Sequence, residues 1–188
     1  MTLAAPMRDG EVRLEPLREE HREPLRRACA EDGEVWKIYP SNYLGADFDP
    51  SFETCLGRPA QAAFAIFGGD RLVGMSSYLS IDRADCSVEV GRTFFAPSVR
   101  GTGFNRRVKQ LMLDRAFAEG FRRVEFRIDT RNGRSIAAVE KLGAVREGTL
   151  RKNRTTWTGF VRDTALYSIL RDEWTAQRGF IAGAAESE

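Results

Sequence analysis

The sequence predicts a mixed α/β (α+β) domain built on one largely antiparallel sheet flanked by helices. Three observations predict it. Short alternating or apolar runs recur along the chain, and segments with helical apolar spacing lie between them. The breaks between neighbouring runs are short and marked by glycine or proline, so consecutive strands read as hairpins rather than as βαβ units. The resulting order is strand, helices, three strands, helix, strand, helix, two strands.

Each element follows from its residues. Glu11 to Leu17 sets Val12 and Leu14 between charged neighbours, a strand with one buried face. A helix is expected from about Glu19 to Ala30, with Leu25, Ala28 and Cys29 as its stripe, Pro24 in an early turn and Gly33 as its stop. Val35 to Pro40 reads as an aromatic loop, and Pro50 to Leu56 as a short helix closed by Gly57 and Pro59. Ala63–Phe67, Arg71–Ile81 and Val88–Phe95 read as three antiparallel strands, the first pair joined at Gly68-Gly69-Asp70. Phe104, Val108, Leu111 and Met112 give the helix Phe104–Ala118 its apolar face, and Gly120 stops it. Arg122 to Asp129 alternates Val124, Phe126 and Ile128 with charged residues. Ser135 to Leu142 reads as a short helix ended by Gly143, and Arg146–Thr156 and Arg162–Leu170 as a final pair of strands around Thr158-Gly159.

The length of 188 residues suits one domain, expected over residues 11–175, with a flexible start (1–10) and a small, polar, disordered tail (176–188). Hydrophobic residues make up 42% and charged residues 30%, as in ordinary globular chains. No apolar run approaches the roughly 20 residues of a membrane span, and Met1 to Gly10 has no signal-peptide pattern. Cys29, Cys55 and Cys86 form neither a disulfide framework nor a zinc spacing, which fits a reducing, cytoplasmic setting. With His21 as the one histidine, no metal site is expected. Net charge is +2, but residues 100–154 hold 15 Lys/Arg against 6 Asp/Glu, while residues 1–60 hold 8 against 12. The basic middle suggests a polyanionic ligand, although arginines that merely solvate outer faces give the same asymmetry.

One segment carries chemistry. A strand ends at Phe95, Pro97 breaks it, and Arg100-Gly101-Thr102-Gly103-Phe104-Asn105 leads into a helix. Glycines let the backbone approach a ligand, and the free N–H groups and positive dipole end of a starting helix attract phosphate oxygens. Arg100, Arg106 and Arg107 add charge nearby. There is no Gly-Lys-Ser/Thr ending of a P-loop, and Arg106 stands where a dinucleotide fingerprint needs its third glycine. A diphosphate-bearing ligand is the physical inference, with a plain turn into a helix as its structural alternative.

A second segment, Asp129-Thr130-Arg131-Asn132-Gly133-Arg134-Ser135, precedes a helix ending Lys141-Leu142-Gly143-Ala144. Taken with the first, it closely resembles the GNAT superfamily of N-acetyltransferases, and more narrowly the branch of bacterial ribosomal-protein N-terminal (alanine/serine) acetyltransferases. Arg100 and Gly103 match the family's Gln/Arg-x-x-Gly-x-Gly/Ala loop, with Asn105 in place of the last small residue. Asn132, Ser135, Leu142 and Gly143 match its Asn-x-x-Ser…Leu-Gly pattern. The resemblance runs from about Val12 to Trp174.

The resemblance implies that acetyl-coenzyme A lies in a V-shaped opening between the strand ending at Phe95 and the strand Arg122–Asp129. Backbone groups of Phe94 and Phe95 would pair with the pantetheine arm. The loop Arg100–Asn105 would hold the pyrophosphate, and Asn132 would contact the arm. Ser135 would protonate the leaving thiolate, and Arg134 and Lys141 would lie near the adenosine end. Asn132 also reads simply as a helix N-cap, and Ser135 as a first-turn serine. The glutamate that some relatives carry just before the loop is absent from Ala96-Pro97-Ser98-Val99. The candidate base for direct attack of an amine is Glu89, on the strand leading to Phe95, where the resembling branch carries acidic residues; a solvated surface glutamate is the alternative. Trp36, Tyr39, Trp157 and Tyr167 could line an acceptor pocket or pack in the core. The acceptor stays open between a peptide N-terminus and a small amine such as an antibiotic or polyamine. A catalytically silent coenzyme A-binding module is the alternative to an enzyme. No membrane partner and no direct nucleic-acid partner are expected, since no RNA-binding motif accompanies the charge. A homodimer is compatible with the sequence.

Overall fold

A computed structural model describes residues 2–177 of the chain. In order, its elements are β1 (Met7–Asp9), β2 (Val12–Pro16), α1 (Arg22–Ala30), α2 (Phe48–Gly57), β3 (Ala62–Gly68), β4 (Arg71–Asp82), β5 (Ser87–Phe95), α3 (Phe104–Ala118), β6 (Arg123–Asp129), α4 (Gly133–Glu140), β7 (Val145–Thr155) and β8 (Val161–Leu170). The eight strands form one sheet in the order β1-β2-β3-β4-β5-β6-β8-β7. Every neighbouring pair is antiparallel except β5 and β6.

The start of the chain departs from expectation. The first ten residues were expected to be flexible, yet Met7–Asp9 pairs with β2 and Leu3 and Met7 are buried. A three-residue strand is too short to show alternation, so its burial comes from packing on α3 rather than from a readable pattern. At the other end, 171–177 is helical and Trp174 is buried, inside the expected boundary at 175. From 178 on, the expected tail lies outside the described residues.

The strand alternation sorts side chains between two cores. Val88 and Val90 of β5, and Val124, Phe126 and Ile128 of β6, join Val108, Met112 and Leu113 of α3 on one face. Phe94 of β5 and Met75 of β4 join Leu25 of α1 and Phe48 and Phe52 of α2 on the other. Residues of β5 and β6 that point away from α3 therefore face α1 and α2.

Two irregularities open the middle of the sheet. Parallel pairing of β5 with β6 is confined to Ser87↔Arg123, Val88↔Val124 and Glu89↔Glu125, after which the strands part. Along β4, Met75 faces Phe94 but Ser77 faces Gly91, so β5 carries one extra residue in a bulge where Arg92 has φ 48°. A bulge bends its strand and raises its twist, here just where β5 leaves β6.

Candidate active site

The parted strands leave a cavity of about 930 Å³, within the size range of small-molecule sites. Its walls come from β5 and β6, from the Val99–Asn105 loop and α3, from the start of α4, and from the ends of β7 and β8. The α1–α2 connection closes one side through Tyr39 and Tyr43.

At the open end of β5 the backbone is unpaired. The Ala96 N–H donates to Val73 O of β4 at 2.7 Å, so alternation turns the N–H and C=O of Phe95 and Thr93 away from β4, into the opening. Two of these carbonyls already accept protein hydrogen bonds, Thr93 O from Tyr39 Oη and Phe95 O from Arg100 Nε. Phe94, expected to offer its backbone to the pantetheine arm, does not: its backbone pairs with Met75 of β4, and its side chain is core, stacked on Trp36 at 4.7 Å between ring centroids.

Next comes the glycine loop. Gly101 and Gly103 have φ of 79° and 81°, and an added Cβ at either would meet nothing within 4 Å. The conformation therefore needs glycine, and the space beside it is open. Gly103 is the N-cap of α3 and supplies no side-chain cap. The first N–H groups of α3 have no carbonyl a turn back to accept them. Arg100 and Asn105 line the cavity, and Arg100 Nη2 and Asn105 Oδ1 are both buried without a hydrogen-bond partner. Buried polar atoms without partners are rare, and here two face one cavity. Donors at a helix start beside enclosed polar atoms suit a diphosphate linked to an amide-bearing arm.

The arginines near the loop depart from expectation. Arg100 is turned back to Asp32, and Arg107 pairs with Asp9 at 2.7 Å. Thr102 and Gly103 are exposed at the rim, and Phe104 is a core residue edge-on to Phe95.

Across the opening, Asn132 caps α4, its Oδ1 accepting from the Ser135 N–H at 3.1 Å. The cap uses the carboxamide oxygen and leaves its nitrogen for a ligand. Asn132, Arg134 and Ser135 all line the cavity. Lys141 does not: it is the exposed C-cap of α4, on the far end of that helix.

Glu89 sits where β5 and β6 part, on the face turned from α3. Its side chain is 12% exposed and lies 3.7 Å from Arg127 Nε. Burial raises its pKa, while Arg127 and Arg154 pull it down. Gly91 leaves it room, since a Cβ there would come within 2.9 Å of Glu89 Oε1.

Among the four aromatic candidates the structure brings only Tyr39 to the cavity. Trp36 and Tyr167 are buried core residues, held by Trp36 Nε1 to Cys29 O (3.0 Å) and Tyr167 Oη to Glu140 Oε1 (2.8 Å). Trp157, on the β7–β8 turn, donates to Trp36 O at 2.7 Å and ties that turn to the α1–α2 connection.

Sequence reasoning missed Lys109 and Arg162. Lys109 is 6% exposed, lines the cavity and donates to Thr93 Oγ1 at 2.6 Å. Burial brings its ammonium down to about 7, against the opposing pull of Glu89. A signal was present: Lys109, Met112, Leu113 and Ala116 form a buried stripe at helical spacing, headed by a lysine. Arg162 opens β8 and is 4% exposed. Among the described residues no group of three or more His, Cys, Asp or Glu could hold a metal ion, and no helix is long and apolar enough to cross a membrane.

Comparison with known proteins identifies the family and the fold. The family model for an acetyltransferase (GNAT) domain matches residues 11–145. A solved structure from T. thermophilus, assigned to the acetyltransferases, is 33% identical with a TM-score of 0.84, covering 95% of this chain and 96% of that one. A GNAT-family protein from Chromobacterium violaceum is 29% identical with a TM-score of 0.86, covering 93% and 96%. A spermidine N-acetyltransferase from Vibrio cholerae, solved with CoA and spermine, is 17% identical with a TM-score of 0.73, covering 89% and 99%, a likeness of fold alone. No curated protein is similar enough to count as a match.

Proposed function

Since the chain belongs to the GNAT acetyltransferase family, we propose that it is an N-acetyltransferase that moves an acetyl group from acetyl-coenzyme A to a primary amine by direct attack. The observation that carries this reading is the parting of β5 from β6 just beyond Glu89. It sets an unpaired strand edge between a buried carboxylate and an uncapped helix start.

In this reading the α3 N–H groups with Arg100 and Asn105 hold the diphosphate end. The unpaired Phe95 and Thr93 N–H groups hold the amide-bearing arm, with Asn132 opposite and Arg134 toward the adenosine. Acetyl-coenzyme A supplies a thioester, whose C–S bond breaks as the amine nitrogen bonds to the carbonyl carbon. Glu89 takes the proton the amine loses, and Ser135 gives one to the departing sulfur. A carboxylate raised by burial suits the task, because a base works best with a pKa near the working pH. An α-amine, with an ordinary pKa near 7.7–8.0, is partly neutral at pH 7 and asks less of Glu89 than a lysine near 10.4. That favours a peptide or amino-acid α-amine as acceptor.

The test is a thiol-release assay with acetyl-coenzyme A over a panel of peptides and small amines. Amine-dependent release, with an acetylated product of matching mass, is expected. Tight coenzyme A binding without release on any amine contradicts the enzyme and leaves a silent binding module.

A further inference from the structure

The acceptor side of the cavity carries a charge that the acetyl-transfer reading does not use. Pairing across the sheet sets Asp129 opposite Thr164 and Arg154 opposite Arg162, so these residues share the face turned toward α1 and α2. Glu89, Arg92 and Arg127 look into the same space from β5 and β6.

The negative charges there are largely taken. Asp129 is held by Arg131 at 2.7 Å, and Arg127 is shared with Glu125 at 3.2 Å. Arg92 donates to Gln61 Oε1 at 2.9 Å, a neutral partner. Arg162 is the outlier: it lines the cavity at 4% exposure, and its Nε is enclosed with no hydrogen-bond partner. Burial and the neighbouring Arg154 guanidinium both disfavour its charge, and Asp129 and Glu89 offset this only from a distance. Arginine does not escape by losing its proton. A buried, unpaired cation is costly, and a second cation beside it raises the cost. Water can solvate such a pair but cannot neutralise it. An anion can, and the planar guanidinium fits carboxylate and phosphate oxygens.

Building on the acetyl-transfer reading, we infer that the acceptor is an anionic amine, whose own skeleton carries a carboxylate or phosphate seated between Arg162 and Arg154 while its amino group faces Glu89. The same arginines repel a polyamine, so the pocket selects by repulsion as well as attraction.

Matched pairs test this. Glycine against glycinamide, O-phosphoethanolamine against ethanolamine, and an aspartyl against an asparaginyl peptide separate carboxylate, phosphate and side-chain sources of the anion. Spermidine serves as the cationic control. At least one anionic member should exceed its neutral partner tenfold or more in kcat/KM, and spermidine should be poorest. Calorimetry without acetyl-coenzyme A should show the favoured anion binding and its neutral partner failing to bind. Arg162→Gln should bring the preference within threefold while coenzyme A affinity stays at wild type. Arg154→Gln, at an exposed position, should lower the preference with no fold at risk. Acetylation of neutral amines or spermidine as fast as of the anionic ones overturns the inference and leaves the acetyltransferase reading intact. Arg162-dependent anion binding with no amine acetylated upholds the anion site and sinks that reading instead. Absence of both binding and preference overturns the site.

Discussion

In the proposed role of base, Glu89 would act only while ionised, and its surroundings set when that is. Burial lifts its pKa above the ordinary carboxylate value, and Arg127 moderates the lift. As pH rises through that value the wild-type rate should climb, and it should climb again as the amine itself loses its proton. Glu89→Gln should lower kcat/KM by roughly 10²-fold between the two, the low end of what general bases contribute. The deficit should shrink at high pH, where the amine is neutral unaided. A pH–rate profile matching wild type would remove Glu89 from the mechanism. Residues of this kind were partly legible. Glu89, Asn132, Ser135 and the Arg100–Asn105 loop stand out by type and spacing, and all reach the cavity wall or its rim. Trp36 and Tyr167 did not separate from Tyr39, because an aromatic ring reads alike in a core and in a pocket. Arg162 was hidden among many arginines, since the sequence does not say which one lacks a partner.

Among the elements, the loop into α3 joins backbone strain to ligand space. Gly103 has φ 81° and nothing within 4 Å of an added Cβ. A side chain there strains the turn by about 1–3 kcal/mol, yet it meets no protein atom, only open space beside the start of α3, where the proposed diphosphate would lie. Gly103→Val should therefore cost a few degrees in Tm and at least tenfold in coenzyme A affinity. Wild-type affinity by calorimetry contradicts the loop's role. The edge strand β7 depends on a different device. Glu147 accepts from Arg123 of β6 and, at 2.7 Å, from Ser168 of β8, bridging three strands. The Arg123 hydrogen bonds hold its carboxyl down to about 2, from an ordinary 4.5. A lowered carboxylate contributes stability that is full above its unfolded value and disappears as pH falls through its folded one. Partial exposure and salt reduce the size of the effect. Thermal melts should show wild type losing Tm between pH 4.5 and 2 more steeply than Glu147→Gln. Parallel slopes would mean that the bridge carries no weight. The helix α3 was legible because its periodicity runs over many residues, and β4 because the turn at Gly68-Gly69-Asp70 marks it as the partner of β3. The three residues of β1 were not, nor was the bulge at Arg92, which follows from pairing between strands.

At the scale of the molecule, the parting of β5 from β6 divides the sheet into two halves that share the cavity. One half, β1 to β5, carries α1, α2 and Tyr39. The other, β6, β8 and β7, carries Arg154 and Arg162. Order of elements and antiparallel character were readable in advance, but how far the halves swing apart is set by packing on both faces. Beyond the three paired residues at its base, a contact that spans them is the 2.7 Å hydrogen bond from Trp157 Nε1 to Trp36 O. It links the β7–β8 turn to the α1–α2 connection over the acceptor side, away from the diphosphate loop. Trp157 is 44% exposed, so the fold asks little of its ring. Trp157→Phe keeps a ring and deletes the donor, with a net loss of about 0.5–1.5 kcal/mol for one hydrogen bond. If that energy holds the acceptor side closed, acceptor KM should rise about three- to tenfold. Coenzyme A affinity and Tm should move little. An unchanged acceptor KM, or an equal loss in coenzyme A affinity, would show that this bond does not position the two halves around the acceptor.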